Sequence, residues 1–275
     1  MKSYRQGVRF DKDSSGADTD RNVENLPLSL VVITKNEEAN LERCLRSVPF
    51  ADDIVVVDSQ STDRTVEIAE KCGARVFQQT WLGFGPQKKV ATARAKNDWI
   101  LSLDADEALS PELAKELHQR WSALDPEAGY LCPRRSFHLG RWILHGGWTP
   151  DYQLRLFNRR SANWNEAVIH EKVIASKVEK LESPILHWVF QNLSDQILTN
   201  DRYSSLQAQE RFAKGERSSV LKILIRPWIK FFETYFLKAG FLDGMPGFLI
   251  SVSAAYSVFC RYGKLWELGR KEPTP

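Results

Sequence analysis

The stretch Asn97-Asp-Trp-Ile-Leu-Ser-Leu-Asp-Ala-Asp-Glu107 decides the fold. Its apolar run from Trp99 to Leu103 predicts a buried β-strand. The run ends in two carboxylates, Asp104 and Asp106, separated by one small residue. Ligands bind at the carboxyl edge of open α/β sheets, and paired carboxylates there suit a hard divalent cation such as Mg²⁺ or Mn²⁺. The alternative is an Asp-x-Asp triplet that occurs by chance in a surface loop.

A helix-start signal follows the two carboxylates. Ser110 suits an N-cap, Pro111 the first helical position, and Glu112 the first turn. A helix is therefore expected to begin just beyond the acids, which places them in a short loop at the sheet edge.

The residues before this stretch alternate between strand-like and helical patterns. Apolar β-branched runs predict strands at residues 28–33, 53–58, 74–77 and 99–103, and helices are expected between them, the second ending at Gly73 and the third spanning about residues 87–95. Four such alternations predict a parallel sheet with right-handed crossovers, of the Rossmann-like nucleotide-binding type.

Several nucleotide-binding classes lack their signatures here. No Gly-x-Gly-x-x-Gly follows the first strand and no Walker lysine motif is present, which argues against dinucleotide oxidoreductases and P-loop enzymes. The sequence Thr34-Lys-Asn-Glu37 also lacks the glycine-rich signature expected of a sugar nucleotidyltransferase.

Charge and cysteine content indicate which partners and which compartment to expect. The chain of 275 residues has a formal charge of +3, which is too small to indicate nucleic-acid binding. Residues 211–238 hold seven basic and two acidic side chains, and residues 134–160 hold six arginines against Asp151, so an anionic partner or a solvated face is expected. Cysteines 44, 72, 132 and 260 show no pairing or metal-ligand spacing, which predicts a reduced, cytoplasmic setting.

The two ends of the chain differ from its centre. Residues 1–26 are polar and predict a disordered lead-in. Helices are expected at 194–214, 220–238 and 248–266 around a break at 240–247, with Pro227 kinking the second helix or starting another. The longest apolar run, 248–260, has about 13 residues, fewer than the ~20 needed to span a bilayer, so no transmembrane helix is predicted. These helices either close the domain or anchor it at a membrane surface.

Three ordered motifs resemble a known family. Val31-Val-Ile-Thr-Lys-Asn-Glu-Glu38, Ile54-Val-Val-Val-Asp-Ser-Gln-Ser-Thr-Asp-Arg-Thr65 and Leu103-Asp-Ala-Asp-Glu107 are similar to the donor-binding half of inverting family 2 glycosyltransferases with the GT-A fold. The likeness covers residues 28–120. Gly146-Gly-Trp-Thr-Pro-Asp151, Arg155-Leu-Phe157, His170-Glu171 and residues 241–248 resemble the lipopolysaccharide-core β-glucosyltransferase subgroup.

The resemblance implies a fold and a domain plan. We expect a GT-A, Rossmann-like, mixed but mostly parallel sheet with helices on both faces, plus a C-terminal amphipathic helical extension. A catalytic domain at 27–190 would comprise a nucleotide-sugar half, 27–120, and an acceptor half, 121–190. Residues 191–275 would form a membrane-associating extension.

The resemblance also assigns roles to residues. Donor binding is expected of Thr34, Asn36, Glu37, Asp58, Lys88 and Asp104. Asp58 would accept hydrogen bonds from uracil, and Lys88 would meet the diphosphate as a point charge. Asp106 would ligate the metal directly, while Asp104 would be shared between metal and ribose. Helix capping is the alternative role for Asn36, Glu37 and Asp63.

Inverting transfer needs a base for the acceptor hydroxyl. Glu171 is the candidate and Asp151 the runner-up. Acceptor contacts are expected from Trp148, Arg155 and His170. The alternatives are that His170-Glu171 forms an exposed strand end with a local ion pair, and that Trp148 belongs to the core.

These inferences predict a peripheral enzyme on the inner face of the cytoplasmic membrane. With a divalent metal, it would move a hexose, with glucose expected, from a UDP-sugar to the inner core of lipopolysaccharide, a lipid-linked oligosaccharide. Its partners would include an anionic membrane surface and no nucleic acid. Polyprenyl phosphate is the alternative acceptor, and a catalytically silent nucleotide-sugar-binding module is the alternative of another class.

Overall fold

In the computed structural model of the protein, residues 25–165 and 171–270 are described, so His170 and nearly all of the expected lead-in lie outside them. The described strands are β1 (Leu26–Thr34), β2 (Ala51–Asp58), β3 (Arg75–Gln78), β4 (Trp99–Asp104), β5 (Glu107–Leu109), β6 (Ala128–His138), β7 (Arg141–Ile143), β8 (Asp151–Asn158), β9 (Ala162–Trp164), β10 (Val173–Ala175), β11 (Lys177–Lys180) and β12 (Ile185–His187). The α-helices are α1 (Leu41–Arg46), α2 (Thr65–Lys71), α3 (Phe84–Arg94), α4 (Pro111–Arg120), α5 (Leu193–Ala213), α6 (Val220–Phe232) and α7 (Gly244–Leu268).

The large sheet has the order β3-β2-β1-β4-β8-β6-β12-β5, and β7 and β11 also pair with β6. Strands β1 to β4 pair in parallel, whereas β8 is antiparallel to both β4 and β6. Thr34 is in register with Asp58, and Ile33 with Asp104, so the ends of three strands meet at one edge. The structure is thus the expected mixed, mostly parallel, GT-A-like sheet.

Alternating side chains of β1 divide the core between two layers. Leu28, Leu30 and Val32 are buried in one cluster with apolar residues of α1, α2 and α4. Val31 points the other way, into a cluster with α3 and the β9–β10 hairpin. Helices therefore cover both faces of the parallel half, as expected for strands that are apolar on both sides.

The helix starts agree with the sequence to different degrees. Ser110 caps α4, accepting a hydrogen bond from the backbone N–H of Leu113 at 3.1 Å. By contrast, α3 begins at Phe84, three residues before its expected start at Gln87. Gly83, with φ of 100°, turns the chain into this helix, and Pro86 is tolerated because it lies in the first turn.

Helices α5 to α7 form the C-terminal extension. The second half of α7 packs against α5 through Ala208, Val258, Tyr262 and Leu265. Pro227 lies inside α6, which continues into a π-helical turn at Glu233–Leu237, so it does not start a second helix. The expected break is shorter than predicted, because α7 already begins at Gly244.

The expectation that no segment could span a membrane needs correction. Among the described residues, the continuous helical segment Gly240–Leu268 is long and apolar enough to do so by length and composition alone. A core helix of a soluble protein meets the same criteria. One third of its apolar window is buried inside the protein.

A buried aspartate joins the extension to the sheet domain. Asp243 is fully buried, and its carboxylate accepts hydrogen bonds from the backbone N–H of His145 at 2.8 Å and of Leu144 at 3.2 Å. The backbone N–H of Gly146 donates to the carbonyl of Lys238 at 2.9 Å. The loop between β7 and β8 is therefore held by Asp243, at the start of α7, and by Lys238, which precedes it.

Candidate active site

The ends of β1 and β2 build one side of the site. The hydroxyl of Thr34 donates to Asp58 at 3.0 Å, and the backbone N–H of Ser61 donates to the same carboxylate at 2.9 Å. Asp58 is fully buried, so these donors compensate its desolvation. The two residues expected at the nucleoside lie next to each other.

Asn36 and Glu37 bind the first loop to the second. Asn36 adopts a positive φ of 57°, and its side-chain oxygen accepts from the backbone N–H of Thr62 at 2.8 Å. The backbone N–H of Glu37 donates to Thr65 at 2.8 Å. Burial raises the pKa of Glu37 and nearby carboxylates raise it further, while its hydrogen bond from Asn40 opposes the rise. Neither side chain caps α1 or α2, which makes the capping alternative less apt.

Lys88 joins two acids that are distant in sequence. Its ammonium, on a residue only 3% exposed, lies 2.8 Å from Asp104 and 3.1 Å from Glu171. The other oxygen of Asp104 pairs with Arg155. Burial disfavours the ionised form of Asp104, but the charges of Arg155 and Lys88 outweigh it and hold the pKa of this carboxyl well below its usual range.

Glu107 binds the members of this cluster through hydrogen bonds, and the sequence analysis gave it no role. Its fully buried carboxylate accepts from Arg155 at 2.7 Å, from Arg134 at 3.1 Å and from the backbone N–H of Asp104 at 3.0 Å. The available signal was an acid that begins the apolar run Glu107-Ala-Leu109, which forms β5. Arg155, expected at the acceptor, instead lies buried between Asp104 and Glu107.

Asp151, the runner-up base, is bound on both oxygens. Arg134 donates to one oxygen at 2.8 and 2.6 Å, and Gln153 donates to the other at 2.8 Å. Both oxygens of this carboxylate are therefore already engaged in hydrogen bonds.

Asp106 faces a histidine that sequence reasoning also missed. The Nε2 atom of His187 lies 3.3 Å from the Asp106 carboxylate. Its Nδ1 lies 3.2 Å from the hydroxyl of Ser136, and the backbone N–H of Trp188 donates to the Asp106 carbonyl at 3.0 Å. The guanidinium of Arg43 stacks 3.6 Å above Trp188. The signal for His187 was the end of a short apolar run, a weak one.

A divalent cation at this edge would have few ligands from the described residues of the protein. No cluster of three or more His, Cys, Asp or Glu ligands exists within residues 25–165 and 171–270. Mg²⁺ at nucleotide sites needs only one or two carboxylates, because substrate phosphates and waters complete its shell. Asp106 and His187 fit this requirement, with Ser136 orienting the imidazole. Asp104 fits less well, because its two oxygens already pair with the side chains of Lys88 and Arg155.

Trp148 lies in an aromatic cluster on the acceptor side. Its ring stacks on His138 with centroids 5.7 Å apart and lies 6.2 Å from Phe190. It is half-buried, so one part of the ring packs and another is accessible.

Comparison with known proteins agrees with this geometry. A family model described as Glycosyl transferase family 2 matches residues 29–181. An uncharacterized glycosyltransferase of Rickettsia bellii is 34% identical over 88% of this chain and 86% of its own length. The lipopolysaccharide core biosynthesis glycosyltransferase LpsC of Rhizobium meliloti is 28% identical over 89% of this chain and 94% of its own length.

Solved structures show more distant likenesses. Glucosyl-3-phosphoglycerate synthase from Mycobacterium tuberculosis, solved with Mn²⁺, UDP and glucosyl-3-phosphoglycerate, is 25% identical over 41% of this chain and 44% of its own, with a TM-score of 0.33. S. aureus TarS 1-349 in complex with UDP is 16% identical over 88% of this chain and 91% of its own, with a TM-score of 0.45. The family match and the relatives together establish that this chain belongs to glycosyl transferase family 2 and is a glycosyltransferase.

Proposed function

We propose that the protein transfers a hexose, with glucose as the expected sugar, from a UDP-sugar to the inner core of lipopolysaccharide. The transfer inverts the anomeric centre and uses a divalent cation. The proposal rests on the cluster at the carboxyl edge of the sheet. There Lys88 pairs with both Glu171 and Asp104, and Asp106 lies close to His187. The relationship to a lipopolysaccharide core biosynthesis enzyme supports the acceptor class.

The donor would lie across the ends of β1, β2 and β4. Asp58 would accept a hydrogen bond from the uracil ring while Thr34 holds its carboxylate in place. Lys88, almost fully buried, would add positive charge near the diphosphate. Asp104 would meet the ribose from its place between two cations.

The cation would be held by Asp106 and His187. When bound, it supplies positive charge that offsets the charge of the leaving diphosphate. Ser136 would keep the His187 ring in the orientation that turns Nε2 toward the site.

Glu171 would act as the base. The acceptor hydroxyl attacks the anomeric carbon, the bond to the diphosphate breaks, and the hydroxyl proton passes to the Glu171 carboxylate. Lys88, 3.1 Å from one of its oxygens, holds this side chain at the site. Asp151 is less suited because Arg134 and Gln153 already engage both of its oxygens.

Polyprenyl phosphate is the second acceptor to consider, because the exposed apolar and basic helix α6 would suit either lipid-linked acceptor. A catalytically silent module is a weaker candidate, since the paired acids and Lys88 converge on one edge. The protein would work in the cytoplasm, on the inner face of the cytoplasmic membrane, where UDP-sugars and nascent lipid-linked acceptors meet.

The test is UDP release from a panel of UDP-hexoses with Mn²⁺, using core-truncated lipopolysaccharide or polyprenyl phosphate as acceptor. UDP release with sugar incorporation into lipopolysaccharide, and not into polyprenyl phosphate, supports the proposal. Organic-extractable product with polyprenyl phosphate favours the second acceptor, and no release with either favours a silent module. Donor binding is measured separately by thermal shift, where a ligand at 100 times its Kd stabilises by about 2.7 kcal/mol.

A further inference from the structure

The C-terminal extension presents a large apolar surface to solvent. We name it the hairpin face and define it by Leu221, Leu224, Trp228, Phe232, Leu237 and Met245, each more than half exposed. Trp228 is 75% exposed, an unusual state for a tryptophan. An apolar patch of this kind marks an interaction site on a protein surface.

The spacing within α6 shows that this exposure is organised. Leu221, Leu224, Trp228 and Phe232 recur three or four residues apart, which places them on one stripe of the helix. In a surface helix such a stripe faces the core, but here it faces outward. The side of α6 that packs against α7 includes Phe231, whose ring lies 6.0 Å from that of Phe248.

Aromatic contacts make the face continuous across the turn between α6 and α7. The ring of Phe232 lies 5.1 Å from that of Phe236, and the ring of Tyr235 lies 6.3 Å from that of Phe241. The rings of Tyr235 and Phe236 lie 5.1 Å apart, and Phe236 and Phe241 are each about half exposed, so exposed apolar rings extend from α6 into the turn before α7.

Basic side chains flank this face. Lys222 and Arg226 are exposed on the polar side of α6. Two further basic residues of this segment, Lys230 and Lys238, pair with Glu233 at 3.2 and 2.5 Å. The flank nevertheless keeps a positive charge, which complements anionic headgroups.

We infer that the hairpin face docks on an anionic lipid bilayer and lies at the boundary between headgroups and acyl chains. An apolar stripe with Trp and Phe beside a basic flank is the pattern of an interfacial helix. The inference deepens the proposed function and rests on it, because docking would bring the enzyme to an acceptor that is itself linked to lipid.

The packing of α7 argues for lying on the bilayer rather than crossing it. Arg261 donates to Gln207 of α5 at 2.9 Å, and Lys264 lies 2.5 Å from Asp201 of the same helix. Crossing would require these polar contacts with α5 to break or enter the hydrocarbon, where unpaired polar groups are costly.

The hairpin face is also tied to the acceptor side of the site. Asp243 at the start of α7 binds the backbone of Leu144 and His145, and the loop that follows contains Trp148. Docking would therefore place this loop beside the bilayer surface, where a lipid-linked sugar is presented.

The test is sedimentation of the full chain with vesicles of phosphatidylcholine alone or mixed with phosphatidylglycerol. The variant Leu224→Gln/Trp228→Gln/Phe232→Gln removes apolar area from exposed positions, and Val178→Gln, 49% exposed on β11, is the matched control. We expect wild type and control to sediment with anionic vesicles, and the triple variant to partition at least about tenfold less. Unchanged thermal unfolding shows that the triple variant is folded.

Four results would overturn the inference. Wild type that stays in the supernatant at low salt, or a triple variant that partitions like wild type, excludes docking through this face. A concentration-dependent dimer that the triple variant abolishes, without vesicle binding, assigns the face to a second copy. Resistance of bound wild type to alkaline carbonate extraction shows a spanning helix. Vesicle binding with no sugar transfer to lipopolysaccharide would overturn only the proposed function.

Discussion

Glu171 and Lys88 are 83 residues apart in sequence, yet the Glu171 carboxylate lies 3.1 Å from the Lys88 ammonium. We predict that Glu171→Gln keeps UDP-sugar binding and loses about 10²–10⁴-fold in transfer, the usual contribution of a positioned proton acceptor. Donor affinity by thermal shift and turnover by UDP release check this. Glu179→Gln, on β11, is the control. If Asp151→Asn shows this profile while Glu171→Gln stays active, the base is Asp151.

Asp106 and His187 are expected to determine metal affinity. Asp106→Asn should abolish most transfer and weaken Mn²⁺ binding, which electron paramagnetic resonance measures without turnover. Ser136→Ala should lower Mn²⁺ affinity about 10–100-fold, because it removes the partner that orients the imidazole. Asp52→Asn, at the opposite end of β2, should change neither. Full wild-type turnover in EDTA would contradict a metal requirement.

Glu107 is expected to be the main stabilising acid beneath the site. Glu107→Gln leaves Arg155 and Arg134 with one buried counter-charge fewer, so unfolding free energy should fall by about 3 kcal/mol. Exposed Glu70→Gln should stay within about 0.5 kcal/mol of wild type. Urea denaturation at pH 7 measures both. Equal midpoints for the two variants would show that the arginines find other partners.

The low pKa of Asp104 predicts a specific pH window. Its folded pKa lies below the unfolded value of about 3.9, so ionised Asp104 stabilises the fold above about pH 4, and this contribution is lost as pH falls through the folded pKa. The stability gap between wild type and Asp104→Asn should be constant from pH 7 to about pH 5 and shrink below pH 4. Denaturation midpoints across this range check it, and a gap that shrinks near neutral pH would be inconsistent.

Asp243 is expected to position the loop between β7 and β8, which contains Trp148 on the acceptor side of the site. Asp243→Ala leaves the backbone N–H groups of Leu144 and His145 without their acceptor, and we expect the KM for acceptor to rise while donor affinity is kept. Asp243→Asn keeps a carbonyl oxygen and should recover part of the loss. Steady-state kinetics with each substrate varied separate these effects. A variant that loses donor and acceptor binding equally would indicate general unfolding instead.

The parallel half of the fold was predictable because its signals are local. The apolar runs of β1, β2 and β4 and the capping residue Ser110 each specify their own element, and the structure has all of them. The strands of the second half, β6 to β12, gave no comparable pattern. They are short or irregular, and their positions depend on pairing with distant strands.

The candidate site divides in the same way. Thr34, Asp58 and Asp104 end adjacent strands, so their convergence follows from the parallel order of the sheet. Glu107 and His187 could not be placed, because they are 80 residues apart in sequence and meet only through the antiparallel pairing of β5 with β12. Each lies at one end of a short apolar run, a signal too weak to place it, and only the strand register brings the two to the site.

The buried carboxylate of Asp243 has a consequence for protein engineering. Truncation before this residue would remove the hydrogen-bond acceptor of two backbone N–H groups in the sheet domain. A shortened protein would therefore have a less ordered segment before Trp148. Chimeras between relatives face the same constraint. Residues 141–150 and residues 238–244 should be exchanged together, because Asp243 and Lys238 accept the hydrogen bonds that the backbone of the first segment donates.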